Sequence, residues 1–315
     1  MTRNATLDLA RLVAAFGIVL FHSGAPGASL GFAALPFFMM LLLVLAFDSA
    51  ATQDFIPYAR QRVRRLIGPW LVWSAIYGAF KLVEILITHK DPASEFAWWM
   101  LATGPALHLW FLPFACAASL AVWPVARLAA GLQTGPLKGA ADQIRRVGLI
   151  LVLAALTLAA LGWEQGPPRP IPVAQWLSVL PAVIFGLALG LGNRTGRSLG
   201  RSFSWGLGLL LLATAVALAA RGLGWGAAAL PFWLAATLLL ICWAIVTPPG
   251  RWSDLAARSA LGVYLVHPLV ASVLRRLTGL PEGTLTFFGL TAAGSFGLAV
   301  LIWRRRPAPA RPAPA

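Results

Sequence analysis

Charge is what this sequence has least of. Only 11% of its 315 residues are Asp, Glu, Lys or Arg, against roughly 25% in a soluble domain, while 59% are hydrophobic against roughly 45–50%. A soluble fold this apolar would leave too much nonpolar surface in water, so that class is excluded. Cysteine is equally scarce. Cys116 and Cys242 stand alone in apolar runs, which excludes a zinc site built on paired cysteines and a secreted disulfide framework, and leaves both as small packing residues. The four histidines are far apart with no pair at metal-binding helical spacing, so no metal is expected. A phosphate-cradling glycine loop and a nucleophile-elbow serine are both missing. The formal charge of +15 would suit nucleic acid only if it were gathered on one soluble face, and no such face exists, so no nucleic acid is expected as a partner.

What the chain does have is long apolar stretches. At about 20 apolar residues per membrane-spanning helix, its length has room for about nine to eleven spans. Ten are read at 7–25, 29–47, 69–88, 106–126, 147–163, 173–192, 203–220, 226–246, 259–274 and 284–303. The expected fold is all-α: a polytopic integral membrane helical bundle of about ten transmembrane helices with both termini cytoplasmic. The basic residues support that topology, because about 19 of the 25 then fall on the cytoplasmic side, where Lys and Arg concentrate. Residues 1–306 form the membrane domain, and 307–315, alternating Pro and Ala after three arginines, form a disordered cytoplasmic tail. The first span, with Arg3 before it and small residues over 23–28, also fits a signal peptide.

In so uncharged a chain, ionisable groups in or beside a span are costly and become candidates for function. The first span holds Asp8, Arg11 and His22. Asp8 and Arg11, three apart, share a helix face and can pair. Arg11 and His22 are eleven residues apart, and eleven steps of about 100° return to within about 20° of one direction, with a rise of about 16 Å. One face thus carries a cation near the cytoplasm and an imidazole far from it, a spacing that suits an elongated ligand with an anionic end, such as an acyl-coenzyme A. Arg11 as a snorkelling anchor and His22 bonded to a neighbouring carbonyl would fit as well. The second cluster is Arg60, Arg62, Arg64 and Arg65 before Gly68-Pro69-Trp70; as a helix it puts Arg62 and Arg65 on one face. It can grip phosphates, orient the chain, or hold anionic lipid. His267, followed by Pro268, can be structural, its ring bonding backbone freed by the proline. His108 and Trp110 lie where belt aromatics are expected, and Lys81 can pair with Glu84.

Several of these segments, in this order, resemble the membrane acyltransferase 3 family. Leu7-Asp8-Leu9-Ala10-Arg11 with His22 resembles its first-helix signature of an arginine, ten residues and a histidine. Arg62-Val63-Arg64-Arg65 before Pro69 resembles its cytoplasmic arginine pair, and Leu109-Trp110-Phe111-Leu112 and Tyr264-Leu265-Val266-His267 resemble later landmarks. The resemblance implies a multi-pass enzyme of the bacterial cytoplasmic (inner) membrane that moves an acyl group, most often acetyl, from acyl-coenzyme A as co-substrate to a hydroxyl of a carbohydrate or lipid-linked glycan. His22 would be catalytic, and Arg11, Arg62 and Arg65 would bind the donor. Asp8, Trp110, Tyr264 and His267 would support them, with Tyr264, Trp110 or a broken-helix amide as oxyanion donors. No soluble domain is fused to the chain, so an acyl-relay partner would be a separate protein. A transporter or flippase for a lipid-linked sugar is the alternative reading, its arginines holding a head-group phosphate.

Overall fold

The computed structural model describes residues 3–134, 170–194 and 229–304, with a few isolated positions from 147 to 155. The helices in chain order are α1 (Ala5–Ser23), α2 (Ala28–Gly31), α3 (Ala34–Thr52), α4 (Phe55–Thr88), α5 (Pro92–Glu95), α6 (Met100–Thr103), α7 (Phe111–Thr134), α8 (Val173–Ser178), α9 (Leu180–Arg194), α10 (Ala229–Ala244), α11 (Arg251–Thr278) and α12 (Leu285–Arg304), with a 3-10 turn at Leu107–Trp110. Among the described residues there is no strand, and six segments are long and apolar enough to cross a membrane. The expectation of an all-helical multi-pass membrane protein is met. Eight of the ten expected spans have helical counterparts, whereas 147–163 and 203–220 lie wholly or mostly outside the described residues, as does the 307–315 tail.

Two compact units divide the chain, residues 1–34 with 245–315 and residues 35–244. The first is built on α1, α11 and α12. Its α1 is amphipathic in volume rather than polarity: Ala5, Ala10, Ala14 and Ala15 are buried, and the buried set of α11 includes Ala256, Ser259, Ala260 and Gly262. In a bilayer, where lipid is as apolar as leucine, small residues associate helices by letting backbones approach. Polar groups fasten both ends. Asn4 caps α1 by accepting from the Thr6 amide at 3.0 Å, and the Ala5 amide donates to Thr247 O at 3.1 Å just ahead of α11. At the far end Gly24, in the left-handed conformation at φ 65°, closes α1, and the Gly283 amide of the α11–α12 turn donates to Ser23 O at 2.8 Å. Joined at like ends, α1 and α11 run parallel, and α12 returns antiparallel through the turn after Gly279. In this arrangement α1 is a structural member of the unit, fastened to it at both ends.

Parallel α1 and α11 require an odd number of membrane crossings between them, and the hairpin α11–α12 then brings Arg304 back to the face that holds Arg3. The seven crossings of the ten-span reading meet that parity. Close packing within the unit is illustrated by Gly31, where a Cβ would collide with the Gly17 carbonyl.

The second unit is centred on α3, the most hydrophobic of the six candidate spans: its most apolar 18-residue window has a mean hydropathy of 2.5, and Phe37, Met39, Met40, Leu43 and Phe47 are almost fully buried. Gly186 and Gly190 of α9 lie against Met40, Leu43 and Phe47, leaving no room for a Cβ at Gly190. Helix α4 corrects an expectation. The arginine cluster and the following span are one uninterrupted helix of 34 residues, with Pro69 inside it. At 1.5 Å per residue it is about 51 Å long, well beyond the roughly 30 Å hydrocarbon core, so if 69–88 crosses the membrane the turns bearing Arg60 to Arg65 stand outside it. Pairing of Lys81 with Glu84 is also corrected. After α4 the chain folds back through α5, so Lys81 meets Glu95 at 3.3 Å and Lys90 bridges Glu95 at 3.2 Å and Glu84 at 3.9 Å. Hydrogen bonds from Lys90 and Lys81 hold the Glu95 carboxyl below the usual range.

Reporters fused at the two termini should be reached from the same side of sealed membranes by an impermeant reagent; opposite labelling would contradict the parallel packing of α1 and α11. Gly31→Leu should lower the stability of the detergent-solubilised protein by about 1–3 kcal/mol, read as a fall in Tm, because the Gly17 backbone cannot yield.

Candidate functional site

Within the first unit the polar residues read from the sequence gather at two ends. At one, Asp8 is 5% exposed and carries two cations: Arg3 Nε donates at 2.7 Å and Arg11 Nη1 at 3.2 Å. The Asp8–Arg11 pairing expected from their spacing is therefore present. Arg3 also reaches Asp254 and the Ser253 carbonyl on α11, so the carboxylate of α1 is tied to the start of a helix some 250 residues on. Burial works against the charge of Arg3, but its hydrogen bonds to Asp254 and Asp8 outweigh it and hold its pKa above the ordinary value. No spacing rule could have found Arg3–Asp254, because only the fold brings them together. The Arg11 side chain stays 36% exposed, so it is accessible while tethered to Asp8.

At the other end, His22 in the last turn of α1 stands beside His267 of α11, with ring centroids 5.0 Å apart and planes inclined by 34°. Their environments differ. His22 is exposed, whereas His267 is 1% exposed and its Nδ1 lies 2.7 Å from Tyr264 O. The cause is local. In an α-helix the amide of residue 268 would bond to the carbonyl of residue 264; Pro268 has no N–H, and the His267 ring takes its place. The structural reading of His267 from the His-Pro pair is thus borne out, and Tyr264 joins the site through its main chain. A cavity of about 200 Å³ is lined by His22, His267, Pro268, Ala271, Ser272 and the ion-paired Arg275 and Glu282, 3.0 Å apart. The Arg275–Glu282 pair was not anticipated; seven residues and a turn separate its members.

The remaining candidates lie in the second unit. Arg62 is 7% exposed, with Nη2 donating to Ser49 Oγ at 2.5 Å and its guanidinium carbon 4.9 Å from the centre of the Tyr58 ring; among the described residues its buried Nε meets no hydrogen-bond partner. Ser49 belongs to the last turn of α3, where carbonyl dipoles favour a cation, and Arg127 likewise donates to Ala51 O at 3.4 Å. Among the described residues no carboxylate forms an ion pair with Arg62. Arg65, one turn further along α4, is exposed. Trp110 closes the 3-10 turn before α7, 5% exposed, with its ring 5.8 Å from Phe111 and 6.0 Å from Phe114. His108 packs edge-on to Tyr77 with centroids 5.2 Å apart.

One unit thus pairs two imidazoles beside a cavity, and the other buries an arginine that meets no carboxylate among the described residues. Among the described residues no group of three metal-ligating side chains forms. The acyltransferase 3 family model, an acyltransferase domain, matches residues 4–304. The chain belongs to the acyltransferase 3 family. No curated protein and no solved structure matches it. As a family member it is a membrane acyltransferase, and the match runs across both units.

Asp8→Ala would leave Arg3 and Arg11 without their shared carboxylate. It should cost about 1–3 kcal/mol, toward the low end because both arginines are partly exposed, and thermal unfolding in detergent measures it. An unchanged Tm would remove Asp8 from the anchor.

Proposed function

We propose that this acyltransferase takes an acyl group, acetyl first among the candidates, from cytoplasmic acyl-coenzyme A and transfers it to a hydroxyl of a cell-surface or lipid-linked carbohydrate, in a bacterial cytoplasmic (inner) membrane. The observation that carries this reading is His22: an exposed imidazole on the wall of a cavity, paired with a second imidazole, in a chain of an acyltransferase family. His22 acts as general base. As the acceptor oxygen attacks the thioester carbonyl carbon, the hydroxyl proton moves to His22; the C–O bond forms, the C–S bond breaks, and the thiolate leaves with the proton returned from His22. Base catalysis of this kind is worth about a hundred- to ten-thousand-fold.

Arg11, Arg62 and Arg65 bind the phosphates of the donor. Arg62 supports this role, since a cation buried against a hydroxyl and an aromatic ring has room in its charge balance for an anion. Arg11 lies on the same helix as His22 and about 16 Å along it, a separation suited to a donor whose phosphates and thioester are far apart. A separate soluble acyl-relay protein carries the group onward if the acceptor lies across the membrane.

The test is transfer of radiolabel from acetyl-coenzyme A into membrane glycans and glycolipids, with succinyl and longer donors as further arms. His22→Ala should lower transfer at least about a hundredfold at unchanged protein yield, and Arg62→Ala with Arg65→Ala should raise the KM for the donor. Near-normal product in His22→Ala removes that residue from the chemistry. Failure of every donor with the unmutated protein, together with translocation of an unmodified lipid-linked sugar, would replace the reading by a flippase.

A further inference from the structure

We propose that His267 is the positioning residue of this site, and that Pro268 makes it one by fixing its tautomer. The inference rests on the reading of His22 as base. Tyr264 O can only accept, so the His267 nitrogen that faces it at 2.7 Å, Nδ1, carries the hydrogen. In the neutral ring Nε2 is then a bare lone pair. This excludes His267 as an oxyanion donor and makes it an acceptor held rigidly, since its ring is 1% exposed and bonded to its own helix.

The group beside it that can donate is His22. With 5.0 Å between centroids and about 1 Å from each centroid to its ring nitrogens, a turn of the His22 ring can bring one of its N–H groups to about 3 Å from His267 Nε2. The exposed His22 ring is the one with freedom to align. When its N–H rests on His267 Nε2, its other nitrogen is bare and points elsewhere as the base. The other charged groups lining the cavity, Arg275 and Glu282, are bonded to each other. During transfer His267 gains and loses no proton. The acceptor's proton goes to His22 and from there to the departing thiolate, and the bond to Nε2 strengthens while His22 is an imidazolium. An interaction that grows in the transition state acts on kcat.

His267 therefore has two separable jobs, one at each nitrogen, and amide side chains divide them. In Asn the amide nitrogen sits near the place of Nδ1, so His267→Asn can still serve Tyr264 O but offers nothing at Nε2. In Gln the terminal oxygen reaches the place of Nε2 but leaves Tyr264 O unserved; Pro268→Ala restores a backbone N–H for that carbonyl. Label transfer from acetyl-coenzyme A is compared for the unmutated protein, His22→Ala, His267→Asn and His267→Gln with Pro268→Ala. His267→Asn should lower kcat about a hundredfold with the donor KM within about twofold, and His267→Gln with Pro268→Ala should recover to within about tenfold of the unmutated protein. The reverse pattern, an active His267→Asn and an inactive Gln variant, would limit His267 to repairing the helix and overturn the inference. If His22→Ala is inactive while His267→Asn is normal, this inference fails and the proposed function stands. If His22→Ala is active, or no donor supports transfer, the reading beneath it fails.

Discussion

A backbone carbonyl inside a membrane must find a donor, and at Tyr264 the donor an ordinary helix would supply is missing. Pro268 removed it. Leaving that oxygen unsatisfied in hydrocarbon would cost several kcal/mol, so the sequence immediately before the proline is constrained to provide a side-chain N–H that can turn back by one turn. Histidine does so with one nitrogen and retains a second. In the proposed site that second nitrogen is the one that accepts from His22, which gives the break in α11 a use beyond relief of strain in a long helix.

The same economy appears in how α1 is held. Each of its ends is tied to the α11–α12 hairpin: Asp8 to Asp254 through Arg3 at one, and Ser23 to Gly283 at the other. Between them the packing uses alanine, serine and glycine. In water, burial of large apolar side chains would orient such a helix; in lipid that driving force is absent, and close backbone approach with polar fastening takes its place. Substitution of a small residue there is consequently felt as a collision, as at Gly31, rather than as a cavity.

How much of this was legible beforehand divides along the range of the interactions. Composition alone decides for a helical membrane protein, because 59% hydrophobic residues leave no other packing solution. Local pairs followed from helical spacing: Asp8 with Arg11, and His267 with the carbonyl freed by Pro268. Lys81 with Glu84 had equal standing by spacing and failed, since a later turn of chain offered Glu95, and spacing cannot weigh a competitor it does not see. The sequence places the arginine cluster ahead of a span that begins at Pro69, whereas α4 runs through both without a break; a proline inside a long helix is tolerated where neighbouring groups take up the freed carbonyl. The distant contacts, Arg3 with Asp254 and His22 with His267, carry no local signature at all. Only the resemblance of separated segments to one family linked His22 with the Tyr264–His267 segment before the fold did.

One helix then fixes the dimension that the proposed chemistry needs. Arg11 and His22 are separated by three turns of α1, and a helix tied at both ends cannot change that distance without unwinding. In the proposed reaction a donor held by its phosphates at Arg11 would meet the imidazole at a set reach, much as a ruler is read against a mark. A short nucleophile-accepting group placed at random in the cavity would gain nothing from this arrangement. A thioester at the end of a long arm gains orientation from it, because its freedom is removed by contacts made far from the reacting carbon, where binding energy can be spent without obstructing the attack. On this argument the polar knot around Asp8 serves the reaction indirectly: it sets where Arg11 stands relative to His22, so loosening it would be felt at the far end of the helix.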